Sequence, residues 1–173
     1  MPFNPGLVEA AHKVLAGAKA GNLGIVTAES CTSGLLASVL SEAPGAAELL
    51  HGGFVAYTKQ NKVVALGVSE ELLRAKGAVS EDVACAMAEG ALERSPADIS
   101  VAITGVAGPA PDEDGNPVGL VCIATARRGF PTSYLQKNYG DIGRDAVREH
   151  AIRDALAALH AAVGKRAGGP PSH

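Results

Sequence analysis

Thr27-Ala28-Glu29-Ser30-Cys31-Thr32-Ser33-Gly34 packs four hydroxyls, a thiol and a carboxylate into one short segment. Leu23-Gly24-Ile25-Val26 before it reads as a short buried strand, and Leu35, Leu36, Val39 and Leu40 after it recur at helical spacing. A strand-to-helix junction aims unpaired backbone N–H groups at one spot. A serine there can attack a carbonyl while those donors hold the oxyanion, which makes Ser30 a candidate nucleophile with Thr32, Ser33 and Gly34 behind it. The competing reading makes Ser30 or Thr32 a helix N-cap and nothing more. Cys31 is a second candidate, because a helix N-terminus activates a thiol; its apolar neighbours Ala28 and Leu35 equally suit a buried, inert cysteine.

No histidine occupies a recognisable triad position, and the G-x-S-x-G elbow is absent. A lysine can replace histidine as the base when burial lowers its pKa. Lys62, flanked by Val63, Val64 and Leu66, is the candidate, against the reading of a solvated surface lysine. Lys59 is read as a bystander, so Lys59→Met is expected to behave like wild type. Tyr57 ends an apolar run and is either a site residue or core. Thr104-Gly105 closes another run, where ligands gather in α/β sheets, or simply turns the chain. Arg144 and Arg148 share one face at the start of the last helix, where cations are misplaced unless an anion binds. Pairing of Arg144 with Asp141 and of Arg148 with Asp145 is the plain alternative.

The elements that must position these groups follow from periodicity and caps. Leu7 to Ala18 marks a helix stopped by Gly21, and residues 23–28 a strand. A helix follows at about 31–41, closed by Pro44-Gly45. Phe54–Tyr57 reads as a strand, Thr58 and Ser69 as caps of short helices through Leu66 and Lys76, and Ser80 as the cap of a helix to Arg94. Ile99–Thr104 is a strand and 109–117 an acidic Pro/Gly loop. Gly119–Arg127 and Thr132–Tyr139 form a hairpin, and Ile142–Val163 is the last helix. This order predicts an α/β protein: a three-layer α/β/α sandwich around a mixed, mostly parallel sheet of five to six strands. One domain over residues 1–164 is expected, with a frayed tail at 165–173.

The 173 residues carry a net charge of −3, which argues against a nucleic-acid surface. Apolar residues make up 47% but aromatics only 3%, so the core must be built from Ala, Val, Leu and Ile. Apolar runs fall far short of a membrane span, and the start lacks a signal-peptide pattern. Three cysteines without C-x-x-C spacing suit a reducing cytoplasm, and the histidines show no metal-ligand spacing. No metal, cofactor, nucleic acid or membrane is therefore expected. The two best-known nucleotide-binding glycine signatures are also missing.

T-A-E-S-C-T-S-G, G-F-V-A-Y with N-K after it, G-A-V-S-E, I-T-G-V-A-G-P, P-V-G-L-V and G-D-(I-G)-R-D-A-V-R occur in this order. Over residues 5–163 the chain resembles the CinA carboxyl-terminal domain family in its stand-alone form, the nicotinamide-nucleotide amidases. The resemblance implies hydrolysis of nicotinamide mononucleotide to nicotinate mononucleotide and ammonia, in pyridine-nucleotide salvage. It matches Ser30 and Lys62 to the family's serine and lysine, and Tyr57, Thr104 and Arg144 to other site positions. Glu29, Cys31, Thr32, Ser33, Gly34 and Gly105 are expected to line the substrate. A cytoplasmic homo-oligomer acting on a small molecule is expected. Two departures stand out: Ser33 replaces the family's usual glycine, and Ile142-Gly143 opens its G-D-R, which is expected to displace Arg144. A non-catalytic nucleotide- or phosphate-binding module, and an amidase or esterase for another acyl substrate, are the alternatives.

Overall fold

Alternation along the strands builds the molecule, as seen in a computed structural model that describes residues 3–166. Helix α1 (Pro5–Gly21) starts on an Asn4 side-chain cap and stops at Asn22, whose φ of 50° is left-handed. The strands are β1 (Ile25–Glu29), β2 (Leu50–Val55), β3 (Ile99–Gly105), β4 (Leu120–Arg127) and β5 (Ser133–Asn138). They form one sheet in the order β2-β1-β3-β4-β5. β1 pairs in parallel with β2 and β3, and β4 and β5 add antiparallel. The other helices are α2 (Leu35–Ser41), α3 (Ala46–Leu49), α4 (Lys59–Leu66), α5 (Glu70–Lys76), α6 (Glu81–Glu93) and α7 (Arg144–Gly164).

Successive side chains of a strand point to opposite faces. Ile25, Ile99, Val101, Ile103, Val121 and Ile123 therefore face one core, completed by α1, α2 and α7. Val26, Ala28, Ala102, Cys122, Ala124 and Ala126 face the other, completed by α4, α5 and α6. The result is an open, five-stranded mixed sheet with helices on both sides. The chain leaves β1 for β2 on one side and returns to β3 on the other, so the strand order reverses at β1. A crevice outside the carboxyl ends of β1 and β3 is where such sheets hold ligands.

The structure shifts several expected boundaries. The second strand runs over Leu50–Val55, not Phe54–Tyr57, because His51, Gly52 and Gly53 interrupt the apolar pattern of an edge strand. Residues 31–34 are a turn, so α2 begins at Leu35. α3 is a single turn too short for periodicity to reveal. α7 begins at Arg144, after Gly143 with a φ of 92°. Of the expected tail, Lys165 is held: its carbonyl accepts from Arg127 and its Nζ donates to Ser133. Residues beyond 166 lie outside those described.

Helix α4 matters most for function, and two features place it. Thr58 caps it through the Asn61 N–H, and Gly67 ends it at a φ of 70°. Its last carbonyls lie against α6 at Gly90, where a Cβ would overlap the Leu66 carbonyl oxygen. Gly90→Ala, which would otherwise favour a helix, should therefore destabilise the protein by about 2 kcal/mol or more. The check is the urea midpoint; an unchanged or higher midpoint would show that α4 can move away freely.

Candidate active site

Ser30 follows β1 directly, and its N–H still bonds the Ile103 carbonyl of β3 at 2.9 Å. It therefore continues the alternation and lies opposite Glu29. Glu29 points into the α1/α2/α7 layer and is fully buried. Its carboxylate accepts from the N–H groups of Gly34, Leu36 and Ala37 at 2.9–3.0 Å, and from the hydroxyls of Thr32 at 2.7 Å and Thr27 at 3.2 Å. A buried carboxylate thus caps α2, with Thr32 locked beneath it. This corrects the expectation for both residues: neither Glu29 nor Thr32 lines the cleft.

Ser33 and Gly34 also lie outside the cleft. Both have left-handed backbone, with φ of 51° and 91°. Ser33 tolerates this while its N–H and Oγ both donate to the Ser30 carbonyl at 3.1 and 3.3 Å. Of the turn N–H groups expected to hold an oxyanion, those of Ser30 and Ser33 are consumed by Ile103 and Ser30. Among the described residues the N–H groups of Cys31 and Thr32 have no acceptor, nor do those of Ala107 and Gly108 in the loop after β3.

Lys62 comes to Ser30 from the opposite layer. Its Nζ lies 2.9 Å from Ser30 Oγ and donates to the Ala56 carbonyl at 3.0 Å. The Ser30 hydroxyl is within 3.4 Å of the Tyr57 carbonyl. Lys62 is 1% exposed, and among the described residues it has no carboxylate partner. Burial without a counter-charge penalises the ammonium, and Lys59 adds like-charge repulsion, so the Lys62 pKa falls from 10.5 to about 8. At pH 7 roughly a tenth of such a lysine is neutral, against about three in ten thousand for an ordinary one. Burial acts oppositely on Cys31, pushing its thiol up to about 12 despite Lys62 nearby. Cys31 is therefore a protonated, weak nucleophile.

Ser30, Cys31, Tyr57, Lys62, Thr104, Gly105 and Arg144 line one cleft of about 550 Å³ at the carboxyl ends of β1 and β3. Thr104 Oγ1 donates to the Ala78 carbonyl at 2.8 Å, so its hydroxyl is already engaged in tying β3 to the turn between α5 and α6. Tyr57 is half-exposed at the rim, where its hydroxyl accepts from Arg144 at 3.3 Å. Arg144 also donates to the Gly108 carbonyl at 2.8 Å. With Ile142-Gly143 before it, Arg144 still lines the cleft. Arg148 points elsewhere and reaches the Thr32 carbonyl at 3.4 Å. Neither arginine makes the expected pair with Asp141 or Asp145 among the described residues.

The sequence also conceals part of the cleft wall. Lys59 lines it, bridged to Glu113 at 2.8 Å and Asp114 at 2.7 Å, and so is no bystander. The only available signal was its spacing one helical turn before Lys62. Among the described residues no group of three or more His, Cys, Asp or Glu is placed to hold a metal ion, and no helix is long and apolar enough to cross a membrane.

An α/β protein with a serine at the switch point of its sheet and a buried lysine on that serine is the class this geometry defines. Residues 8–163 match the family pattern of the CinA C-terminal domain, and the chain belongs to that family. It is similar to a CinA-like protein of Mycolicibacterium paratuberculosis, 47% identical over 142 residues, covering 76% of this chain and 33% of that protein. A CinA-like protein of Akkermansia muciniphila is 45% identical over 138 residues, covering 80% and 33%. The chain thus spans about a third of the length of these relatives. The crystal structure of competence/damage inducible protein CihA from Agrobacterium tumefaciens superposes with a TM-score of 0.90 at 41% identity, covering 95% of this chain and 99% of that one. A CinA superfamily protein from Escherichia coli gives 0.85 at 37% identity, covering 92% of each chain.

Proposed function

We propose that the protein is an amidohydrolase that uses a Ser30–Lys62 pair and acts on nicotinamide mononucleotide. The observation that carries this is the 2.9 Å contact between Ser30 Oγ and the Nζ of a lysine with 1% exposure. A binding module has no use for an uncompensated buried ammonium, whereas a base needs its lowered pKa. Neutral Lys62 takes the Ser30 proton as Oγ attacks the carboxamide carbon. Backbone N–H groups of Cys31, and of Ala107 or Gly108 across the cleft, are the free donors for the oxyanion. The Lys62 ammonium then gives its proton to the departing nitrogen, and ammonia leaves. Water, deprotonated by neutral Lys62, cleaves the nicotinoyl ester and regenerates Ser30. A substrate pyridinium makes the carbonyl more electrophilic and favours neutral Lys62.

Among the described residues Arg144 is a rim cation without a carboxylate partner, which suits the substrate phosphate. Purified protein should release ammonia from nicotinamide mononucleotide. Arg144→Ala should raise KM for the nucleotide by roughly 10- to 150-fold, the worth of a charge-assisted contact, and leave the slower nicotinamide riboside reaction nearly unchanged. No ammonia from the nucleotide, with release from another small amide, would move the proposal to that substrate. Equal loss on nucleotide and riboside would remove Arg144 from the phosphate.

A further inference from the structure

Lys59 and Lys62 lie three residues apart on α4 and line the same cleft, yet their surroundings are opposite. Among the described residues Lys62 is buried without a carboxylate, whereas Lys59 is clasped by two. Its Nζ meets Glu113 at 2.8 Å and Asp114 at 2.7 Å, and both carboxylates belong to the 109–117 loop that forms the opposite cleft wall. Asp114 is itself fixed, since its second oxygen accepts from the Ala78 N–H at 3.0 Å. The loop folds around Asp112, which accepts from the N–H groups of Asp114 and Asn116 and from the Asn116 amide. The clasp is therefore a tether between the helix that carries Lys62 and an ordered acidic wall.

We propose that Lys59 is a positioning residue whose clasp with Glu113 and Asp114 holds the acidic loop as a cleft wall and sets the net charge that Lys62 meets. The proposal rests on the Ser30–Lys62 reading for its effect on rate. Two charge populations are balanced here. Lys59 on the same helix repels a Lys62 ammonium, and Glu113 and Asp114 from the loop pair with the Lys59 cation itself. Asp112 stands behind them with one oxygen on the loop N–H groups and the other on the Asn116 side-chain amide. From the other elements, Cys31 stays a neutral thiol, Ala56 presents its carbonyl to Lys62, and Arg144 at the rim is a second cation. Burial and Lys59 both lower the Lys62 pKa, while the carboxylates raise that of Lys59, so the two lysines hold opposite charge preferences within one turn.

The clasp has a signature that packing alone lacks. Lys59→Met removes the cation that repels a Lys62 ammonium and leaves two unpaired carboxylates in the cleft wall, so the Lys62 titration should move up. Glu113→Gln combined with Asp114→Asn leaves the cation uncompensated, so it should move down. Each shift should be roughly half a pH unit or more at low salt, and smaller at high salt. Lys59→Arg keeps the charge and the reach and should restore the wild-type midpoint. Both clasp-breaking changes should speed amide exchange in the 109–117 loop and raise KM.

The experiment reads the Lys62 titration directly, from the 13Cε shift of labelled lysine assigned by its loss in Lys62→Met. The pH–rate profile and loop exchange are measured on the same proteins. Opposite shifts in the two variants, with rescue by arginine, are the expected result. Identical midpoints, or shifts in one direction for both variants, would overturn the proposal. Opposite titration shifts with an unmoved rate profile would leave the clasp standing and remove Lys62 as the base.

Discussion

Ser30→Ala and Lys62→Met should each lower kcat for ammonia release by about four orders of magnitude or more, while the fold is retained. The two residues act as one unit, so the double variant should be little worse than either single one. Their effects on stability differ in an informative way. Among the described residues Lys62 Nζ bonds only to Ser30 Oγ and the Ala56 carbonyl and meets no carboxylate, so burying its ammonium costs free energy. Methionine fills similar volume without that cost, and Lys62→Met should melt at or above the wild-type temperature despite being inactive. In the wild type, kcat/KM should rise with pH through a midpoint near 8, since the neutral amine is the active form and its fraction grows as pH rises. Lys62→Met should lose this limb. Cys31→Ala, which keeps the backbone N–H and removes only a protonated thiol, should retain most activity. An active Ser30→Ala beside a dead Cys31→Ala would assign the nucleophile to the wrong residue. A Lys62→Met protein with the wild-type pH profile would end the Ser–Lys mechanism.

Glu29→Gln should be the most destabilising conservative change in the site region, by about 3 kcal/mol. Five donors converge on the Glu29 carboxylate, three of them from the start of α2. Glutamine offers one acceptor oxygen and turns an NH2 group toward N–H donors that then go unpaired inside the protein. For a domain whose whole stability is of the order of 5–15 kcal/mol, that loss is large. Urea unfolding should show a lower midpoint with an unchanged slope. Activity should fall as well, because the same carboxylate holds the turn that presents Ser30. A loss below about 0.5 kcal/mol would mean that the backbone holds this turn without the carboxylate.

The segment Thr27–Gly34 announces its place by type alone: hydroxyls and glycine between an apolar run of strand length and one of helical period require a strand-to-helix turn. The layer order was legible for the same reason. Alternating strands and helices followed by a hairpin leave few ways to bury both faces of a sheet, and five strands with helices on each side resulted. Local pattern failed where an element is held by neighbours rather than by its own period. β2 is an edge strand interrupted by glycines, and α3 is a single turn.

Within the site, the sequence determined which groups were available, and only the tertiary structure decided which of them meet. Glu29 and Ser30 are adjacent and equally suited to chemistry by type. The sheet sends one into each layer, so Glu29 becomes a buried helix cap and Ser30 the cleft residue. Lys62 has the composition of a surface lysine. Burial comes from the packing of α4 against α6 and the sheet, which no window of sequence encodes, and that burial supplies the lowered pKa. Lys59, one turn away in a similar local sequence, stays half-exposed and clasped by two carboxylates from a loop more than fifty residues distant. Charge and periodicity are properties of a segment, whereas desolvation depends on what the rest of the chain places around it.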